Sequence, residues 1–243
     1  MTGLRIWKRV AAAVALTGVS VGPAHASGLQ VEPTSVTIAE RSEEMWLINT
    51  GDAPLQAQVR VYRWVQDAEG ERLEPTEDLL ASPPMAQLAP GSRRLVRLVS
   101  TGAKSCEDTF RLAIDELPAP QSETAGLRYV MHYSVPVFVT PERCEAMAPQ
   151  LSWRIETRGP EARLVVDNGG TMHAQLADLT FIDPNGQRTP LTPGLLGYVL
   201  AEAQMGFALA PSAETFVRGG TIEALVNGNR IEQPVAPASA AAD

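Results

Sequence analysis

Short apolar runs recur roughly every ten residues along this chain, and turn residues separate them. In the first half these runs predict strands at Val31–Ile38, Met45–Ile48, Gln56–Trp64, Arg93–Leu98, Phe110–Leu117 and Leu127–Val139. No window shows sustained helical periodicity with capping residues. The spacing is typical of an antiparallel sandwich and not of alternating strands and helices. The sequence therefore predicts an all-β protein.

The composition changes near the middle of the chain. Residues 140–150 are rich in Pro, Glu, Ala and Met, and strand patterning resumes after them at Leu151–Ile155, Ala162–Val166, Ala174–Ile182, Thr215–Val217 and Ile222–Val226. We therefore predict one sandwich domain at 27–140, a linker at 141–150 and a second sandwich at 151–233. Immunoglobulin-like topology is the commonest solution at this size. The Pro/Ala/Ser-rich residues 234–243 are predicted to be a disordered tail.

The first 26 residues have the features of a secretory signal peptide. Basic residues at Arg5, Lys8 and Arg9 precede a short apolar run, Val10–Val21, and an Ala-His-Ala cleavage site ends at Ala26. The run is too short to span a bilayer. We expect the mature chain to begin near Ser27 and to be soluble outside the cytoplasm.

The charge of the chain argues against a nucleic-acid partner. The formal net charge is −8, and removing the signal peptide with its three positive charges leaves −11. Nucleic-acid binding needs a basic face, which this scattered acidic composition does not suggest.

Cysteine and histidine content limits the possible chemistry. Cys106 and Cys144 are the only two cysteines, and in an oxidising compartment such a pair favours a disulfide. The histidines of the mature chain, His132 and His173, show no metal-ligand spacing, so we expect no metal and no cofactor. No oriented Ser–His–acid set or nucleophile elbow is recognisable. The sequence therefore predicts a protein that is not an enzyme.

Several stretches of the first half, taken together, resemble the periplasmic chaperones of chaperone–usher pilus assembly. They are Val31-Glu32-Pro33-Thr34, Leu47-Ile48-Asn49-Thr50-Gly51, Ala81-Ser82-Pro83-Pro84, Leu88-Ala89-Pro90-Gly91 with Val96-Arg97-Leu98, Phe110-Arg111-Leu112 with Asp115-Glu116-Leu117-Pro118, and Ser134-Val135-Pro136-Val137-Phe138. The resemblance implies two immunoglobulin-like domains in a boomerang arrangement. It also implies a periplasmic protein that binds pilus or surface-fibre subunits by donor-strand complementation and delivers them to an outer-membrane usher.

The predicted strand Leu127–Val139 is the candidate binding element. Its odd-numbered positions are all apolar or aromatic, so one face is apolar over a length about twice that of an ordinary strand. We expect its leading part to contact the client through Leu127, Tyr129, Met131 and Tyr133. Pro136 has no N–H and is best tolerated facing a free edge. By the same parity, Arg128, Val130, His132 and Ser134 would exchange main-chain hydrogen bonds with the client.

Two positions depart from the pattern of the best-known members of the family. Those members grip the terminal carboxylate of the subunit with an Arg and a Lys, and the matching positions here are Ser35 and Pro136. The candidate replacement cations are Arg128, Arg111 and Arg97. The Ser134–Phe138 stretch resembles the archaic, spore-coat-like branch, which would anchor its client differently.

Two other classes of function compete with the chaperone. An immunoglobulin-like pilus or adhesin subunit would carry an N-terminal donor extension and an incomplete sandwich. A secreted hydrolase would need a triad or a metal constellation. The identities of the client and the usher are left open by the sequence.

Overall fold

The computed structural model describes residues 28–39, 41–67, 70–102, 106–118, 129–141, 144 and 148–240. Regular structure in these ranges is almost entirely β-strand, which confirms the all-β prediction. The helix found there is a single 3₁₀ turn, so no helix in the described ranges could cross a membrane. The predicted signal peptide lies outside the described residues, as do Leu127 and Arg128.

Domain 1 is a sandwich of two sheets. Its strands are β1 (Leu29–Glu32), β2 (Val36–Ile38), β3 (Ser42–Asn49), β4 (Leu55–Asp67), β5 (Gly70–Pro75), β6 (Leu79–Ser82), β7 (Met85–Leu88), β8 (Arg93–Ser100), β9 (Asp108–Leu117) and β10 (His132–Val139). One sheet has the order β1-β3-β8-β6, and the other has the order β2-β10-β9-β4-β5, with β7 also pairing with β4. Alternate apolar side chains fill the space between the sheets.

The predicted strand Val31–Ile38 is divided between the two sheets. β1 pairs antiparallel with β3, whereas β2 pairs parallel with β10 on the opposite side of the sandwich. Pro33 lies in the break and has no N–H for a ladder. The chain therefore crosses from one sheet to the other at this point, and β2 is left with three residues.

Domain 2 is a second sandwich. Its strands are β11 (Leu151–Arg158), β12 (Glu161–Asn168), β13 (Ala174–Ile182), β14 (Arg188–Val199), β15 (Ala203–Leu209), β16 (Gly220–Val226), β17 (Asn229–Val235) and β18 (Ser239–Ala240). The two sheets have the orders β15-β12-β11-β18 and β14-β13-β16-β17. Pairing between β13 and β14 is interrupted by register shifts. β14 contains prolines and glycines, which explains why period-two patterning does not reveal it.

Two local predictions for domain 2 differ from the structure. The predicted strand Thr215–Val217 overlaps the 3₁₀ turn Ala213–Phe216, which buries the Phe216 ring in the core. The predicted tail is ordered as far as residue 240: Val235 is buried at the end of β17, and β18 pairs with β11. Burial of Val235 opposes the disorder that the Pro/Ala composition suggests.

The two domains meet in a small aromatic cluster, which we call the joint. Trp64 and Phe138 of domain 1 pack against Tyr198 and Leu200 of domain 2, and all four side chains are buried. Buried Gln66 bridges the same two segments: its Nε2 donates to the Tyr198 carbonyl (3.0 Å), and its Oε1 accepts from the Leu200 amide (2.8 Å). Both polar ends of this side chain are therefore satisfied by the other domain.

The structure joins Cys106 to Cys144, as predicted, with a Cα–Cα distance of 5.4 Å across a separation of 38 residues. Closing a loop of that length stabilises a domain by about 4 kcal/mol on the chain-entropy model. We expect Cys106→Ala with Cys144→Ala to lower the free energy of unfolding by about that amount, as measured by urea denaturation. An unchanged unfolding midpoint would contradict this prediction.

Candidate strand-edge site and interdomain cleft

One edge of β10 is open along most of its length. β9 pairs with every residue of β10, whereas β2 reaches only Val137–Val139 on the other side. Within the described part of the chain, no strand pairs with His132–Pro136 on that side. The strand is shorter than predicted, because Tyr129–Met131 lead into it without strand pairing of their own. The open edge is a row of main-chain groups that another strand could use.

The hydrogen-bond phase of β10 identifies which groups point outward. The Glu116 amide donates to the Met131 carbonyl at 2.9 Å, so odd-numbered residues of this segment direct their backbone groups toward β9. On the opposite side, the Thr140 amide donates to the Ile38 carbonyl at 2.9 Å. Even-numbered residues therefore direct their backbone groups to the open side. On that side the Ser134 N–H is available to a partner strand. Pro136 has no N–H, so it leaves no donor unpaired there.

The odd-numbered side chains of this segment face the core of domain 1. Val135, Val137 and Val139 are buried. Tyr133 and Met131 are partly buried against the same core, and the Tyr133 hydroxyl donates to the Leu29 carbonyl at 2.7 Å. Two of the four side chains predicted to contact a client thus already pack within domain 1.

The residues just before β10 are more accessible. Tyr129 is 61% exposed and Val130 is 48% exposed. Two adjacent exposed apolar side chains at the open end of a strand form a small apolar surface. Three of the four side chains predicted to contact a client are described, namely Tyr129, Met131 and Tyr133. Tyr129 is the most exposed of the three.

A cluster of hydrogen-bonded polar side chains lies on the outer face of the same sheet. His132 Nδ1 lies 2.6 Å from Asp115, and the Arg60 guanidinium donates to the same carboxylate at 2.7 Å. Arg60 also donates to the Tyr62 hydroxyl at 3.1 Å. Partial burial opposes ionisation of Asp115, but hydrogen bonds from His132 and Arg60 outweigh it and bring the pKa of this carboxyl below its ordinary value. His132 is thus engaged by a neighbouring strand of its own sheet.

Arg111 is the candidate cation that the structure places at the joint. It lies on β9 directly opposite Pro136, and its guanidinium stacks 3.7 Å from the Trp64 ring and 5.6 Å from the Tyr198 ring. Burial lowers the pKa of Arg111, and the charge of the Glu71 carboxylate opposes part of that shift. Among the described residues, its side chain has no carboxylate partner within ion-pair distance. An anion entering between the domains would meet this half-buried charge.

Of the other two candidate cations, the structure describes only Arg97, and it lies away from the joint. Arg97 lies on β8 in the opposite sheet, where it is exposed and donates to Glu44 at 2.8 Å. Arg128 lies outside the described residues. Ser35 is exposed between β1 and β2.

Sequence reasoning missed the remaining residues of the joint. Glu107 and His173 lie 66 residues apart and meet across it: the His173 amide donates to Glu107 Oε2 at 2.7 Å, and His173 Nδ1 lies 2.8 Å from Oε1. The His173 ring stacks on Phe138 with centroids 3.6 Å apart. No local pattern marks these residues, because their partners belong to another domain. The described residues include no group of three acidic, His or Cys side chains able to hold a metal.

Comparison with known proteins agrees with this architecture. Residues 28–145 match the N-terminal domain model of PapD, described as a pili and flagellar-assembly chaperone. An uncharacterised fimbrial chaperone of Escherichia coli K12, YcbF, is 29% identical over 115 residues. That match covers 46% of this chain and 45% of YcbF, so the chain spans about half the length of this curated relative.

Solved structures resemble the chain over both sandwiches. A chain of the CsuC–CsuE chaperone–tip adhesion subunit pre-assembly complex, from the archaic chaperone–usher Csu pili of Acinetobacter baumannii, superposes with a TM-score of 0.65 at 22% identity. The alignment covers 88% of this chain and 99% of that one. A chain of the Salmonella enterica SafA pilin–SafB chaperone complex gives a TM-score of 0.59 at 18% identity, covering 85% and 94%. At these identities the likeness shows a shared two-domain, immunoglobulin-like fold. Residues 28–145 are therefore similar to the N-terminal domain of the pili and flagellar-assembly chaperones.

Proposed function

We propose that this protein is a periplasmic chaperone that binds pilus or surface-fibre subunits by lending them the open edge of β10. The observation that carries this proposal is the edge at His132–Pro136, which lies before the start of β2, keeps outward-pointing backbone groups and pairs with no strand of the described residues. A subunit that lacks one strand of its own sandwich would complete its sheet along this edge. The competing reading, a structural subunit, is less well supported because β10 already completes the sandwich of domain 1.

Main-chain pairing supplies the general part of the affinity. Each hydrogen bond formed along the edge contributes about 1 kcal/mol net, and it does not depend on the side chains of the client. The exposed pair Tyr129 and Val130 supplies an apolar contribution of ~1.5–3 kcal/mol for each side chain that becomes fully buried. The sum favours tight but reversible capture, after the costs of ordering are subtracted.

The end of the client strand would be held at the joint. Arg111 faces the same outer surface as Pro136 and lies on Trp64, so its charge is partly desolvated and fixed in place. Guanidinium groups bind carboxylates with two parallel hydrogen bonds. We propose that Arg111 takes the terminal carboxylate of the client, in place of the cations absent at Ser35 and Pro136.

Delivery to an outer-membrane usher and membership of the archaic branch belong to the same proposal. They are supported by the Ser134–Phe138 stretch and by the likeness in fold to a chain of the CsuC–CsuE complex, which comes from archaic chaperone–usher pili.

Tyr129→Glu should reduce client capture without loosening domain 1. A carboxylate forced into an apolar groove costs several kcal/mol, whereas in the free protein the side chain at this position is exposed. Met131→Glu provides the comparison, because Met131 packs against the core and its substitution should also lower the melting temperature. The measurements are the melting temperature of each purified variant and the amount of a coexpressed subunit that copurifies. Undiminished copurification with Tyr129→Glu would remove this residue from the binding surface.

A further inference from the structure

Glu107 connects the disulfide to the joint. It follows Cys106 directly, and its side chain is completely buried. Each of its carboxylate oxygens lies within hydrogen-bond distance of the same residue of domain 2, one of the His173 amide and the other of the His173 ring. Two bonds to one residue restrict both the distance and the direction of approach between the domains.

His173 is itself held rigidly. Its ring lies flat on Phe138, at an interplanar angle of 7°, and its carbonyl accepts from Asn227 Nδ2 at 3.0 Å. Asn227 also accepts from the Gln175 amide at 2.7 Å, so the segment is tied to the rest of domain 2. If Glu107 moved, His173 could not follow it without breaking these contacts. A displacement of Glu107 would instead be transmitted to domain 2 as a whole.

The disulfide anchors both parts of domain 1 that touch His173. The last β9–β10 pair is Asp108 with Val139, so Glu107 lies one residue beyond the paired ladder. Strand ends open more readily than strand centres. The Cys106–Cys144 bond closes this end, joining the residue before Glu107 to the segment that follows Phe138 and β10.

We infer that the Cys106–Cys144 disulfide sets the angle between the two domains by holding Glu107 in its bonds to His173. The disulfide thus has a role beyond restricting the unfolded chain. The inference concerns the free protein and does not depend on the proposed function.

Residual dipolar couplings of the two domains in solution measure the angle directly. We expect Cys106→Ala with Cys144→Ala to rotate the domains relative to each other, on the order of 10°, the size of known rigid-body rotations. His173→Phe keeps an aromatic ring against Phe138 but removes the ring donor, and it should change the angle in the same direction. Combining all three substitutions should change the angle no further, because the disulfide and the His173 ring act through the same Glu107–His173 contact.

Asp108→Asn is the matched control. Asp108 is the next buried acid in the chain, and its ion pair is made to Arg63 within domain 1 at 3.6 Å. This variant should keep the native interdomain angle even if it melts at a lower temperature. The inference is overturned if the folded disulfide-free protein keeps the native angle, or if the effects of the disulfide and of His173→Phe simply add.

A reciprocal experiment measures the same coupling from the side of the disulfide. If the disulfide favours the Glu107–His173 contact, that contact must favour the disulfide by the same factor. Dithiothreitol is the probe: it reduces Cys106 and Cys144 to thiols and is itself oxidised to its cyclic disulfide. His173→Phe should shift the equilibrium toward the reduced protein by at least about fivefold, and Asp108→Asn should not. An equilibrium unchanged by His173→Phe would refute the coupling.

Discussion

Replacing Ser134 with proline should abolish capture of a partner strand while leaving domain 1 folded. The Ser134 amide points to the open side of β10, so domain 1 loses no hydrogen bond of its own sheet. A paired client strand would lose a donor in the middle of its ladder and would meet the proline ring there. A carbonyl left unsatisfied on binding costs about 1–3 kcal/mol. Together with the steric conflict, this corresponds to a loss of affinity of at least roughly tenfold.

Val135→Pro is the control, because the same substitution one residue further along should destabilise domain 1 itself. The Val135 backbone points toward β9 and its side chain is buried, so this variant should lower the melting temperature of the free protein. Melting temperature and subunit copurification are measured for both variants. The open-edge assignment fails if Ser134→Pro destabilises domain 1 as much as Val135→Pro does, or if it still captures the subunit fully.

Arg111→Met should reduce subunit binding by roughly ten- to a hundredfold, since hydrogen bonds to charged groups contribute about 1.5–3 kcal/mol. Methionine keeps an unbranched apolar stem to cover Trp64, so the joint should remain packed. Burial lowers the pKa of Arg111 although the Glu71 carboxylate opposes that shift, so keeping the guanidinium charged at the joint costs free energy in the unbound protein. The free protein should therefore melt at nearly the same temperature or slightly higher.

Arg97→Met is the matched control for the loss of a cation. It makes the same substitution on the opposite sheet, where Arg97 is exposed and paired with Glu44. Calorimetric titration of each variant with a peptide of the subunit's last strand, with a free or an amidated C-terminus, measures the effect. Arg111→Met should bind both peptides equally weakly, whereas the native protein and Arg97→Met should prefer the free carboxylate. A preference that survives in Arg111→Met would place the anchor elsewhere.

Local patterning was sufficient to predict much of domain 1. In β10, alternation places Val135, Val137 and Val139 on one face, and a buried sheet face requires that spacing. The disulfide was predicted from a single pair of cysteines in a chain expected to be secreted. Strand signals failed where breakers interrupt them, as at Pro33 between β1 and β2. They also failed where an aromatic residue is buried from a 3₁₀ turn, as at Phe216.

The sequence by itself determined the fold class, the period-two faces of the strands and the parity that lets Pro136 face an edge, because each depends on residues near one another in the chain. Only the tertiary structure decided that β2 pairs with no more of β10 than Val137–Val139, so that no described strand covers the edge of His132–Pro136. It also decided that Met131 packs against the core and that Arg111 stacks on Trp64 at the joint, whereas Arg97 lies on the opposite sheet. These outcomes depend on pairing between distant segments, and Glu107 meets His173 only after both sandwiches have folded and packed together.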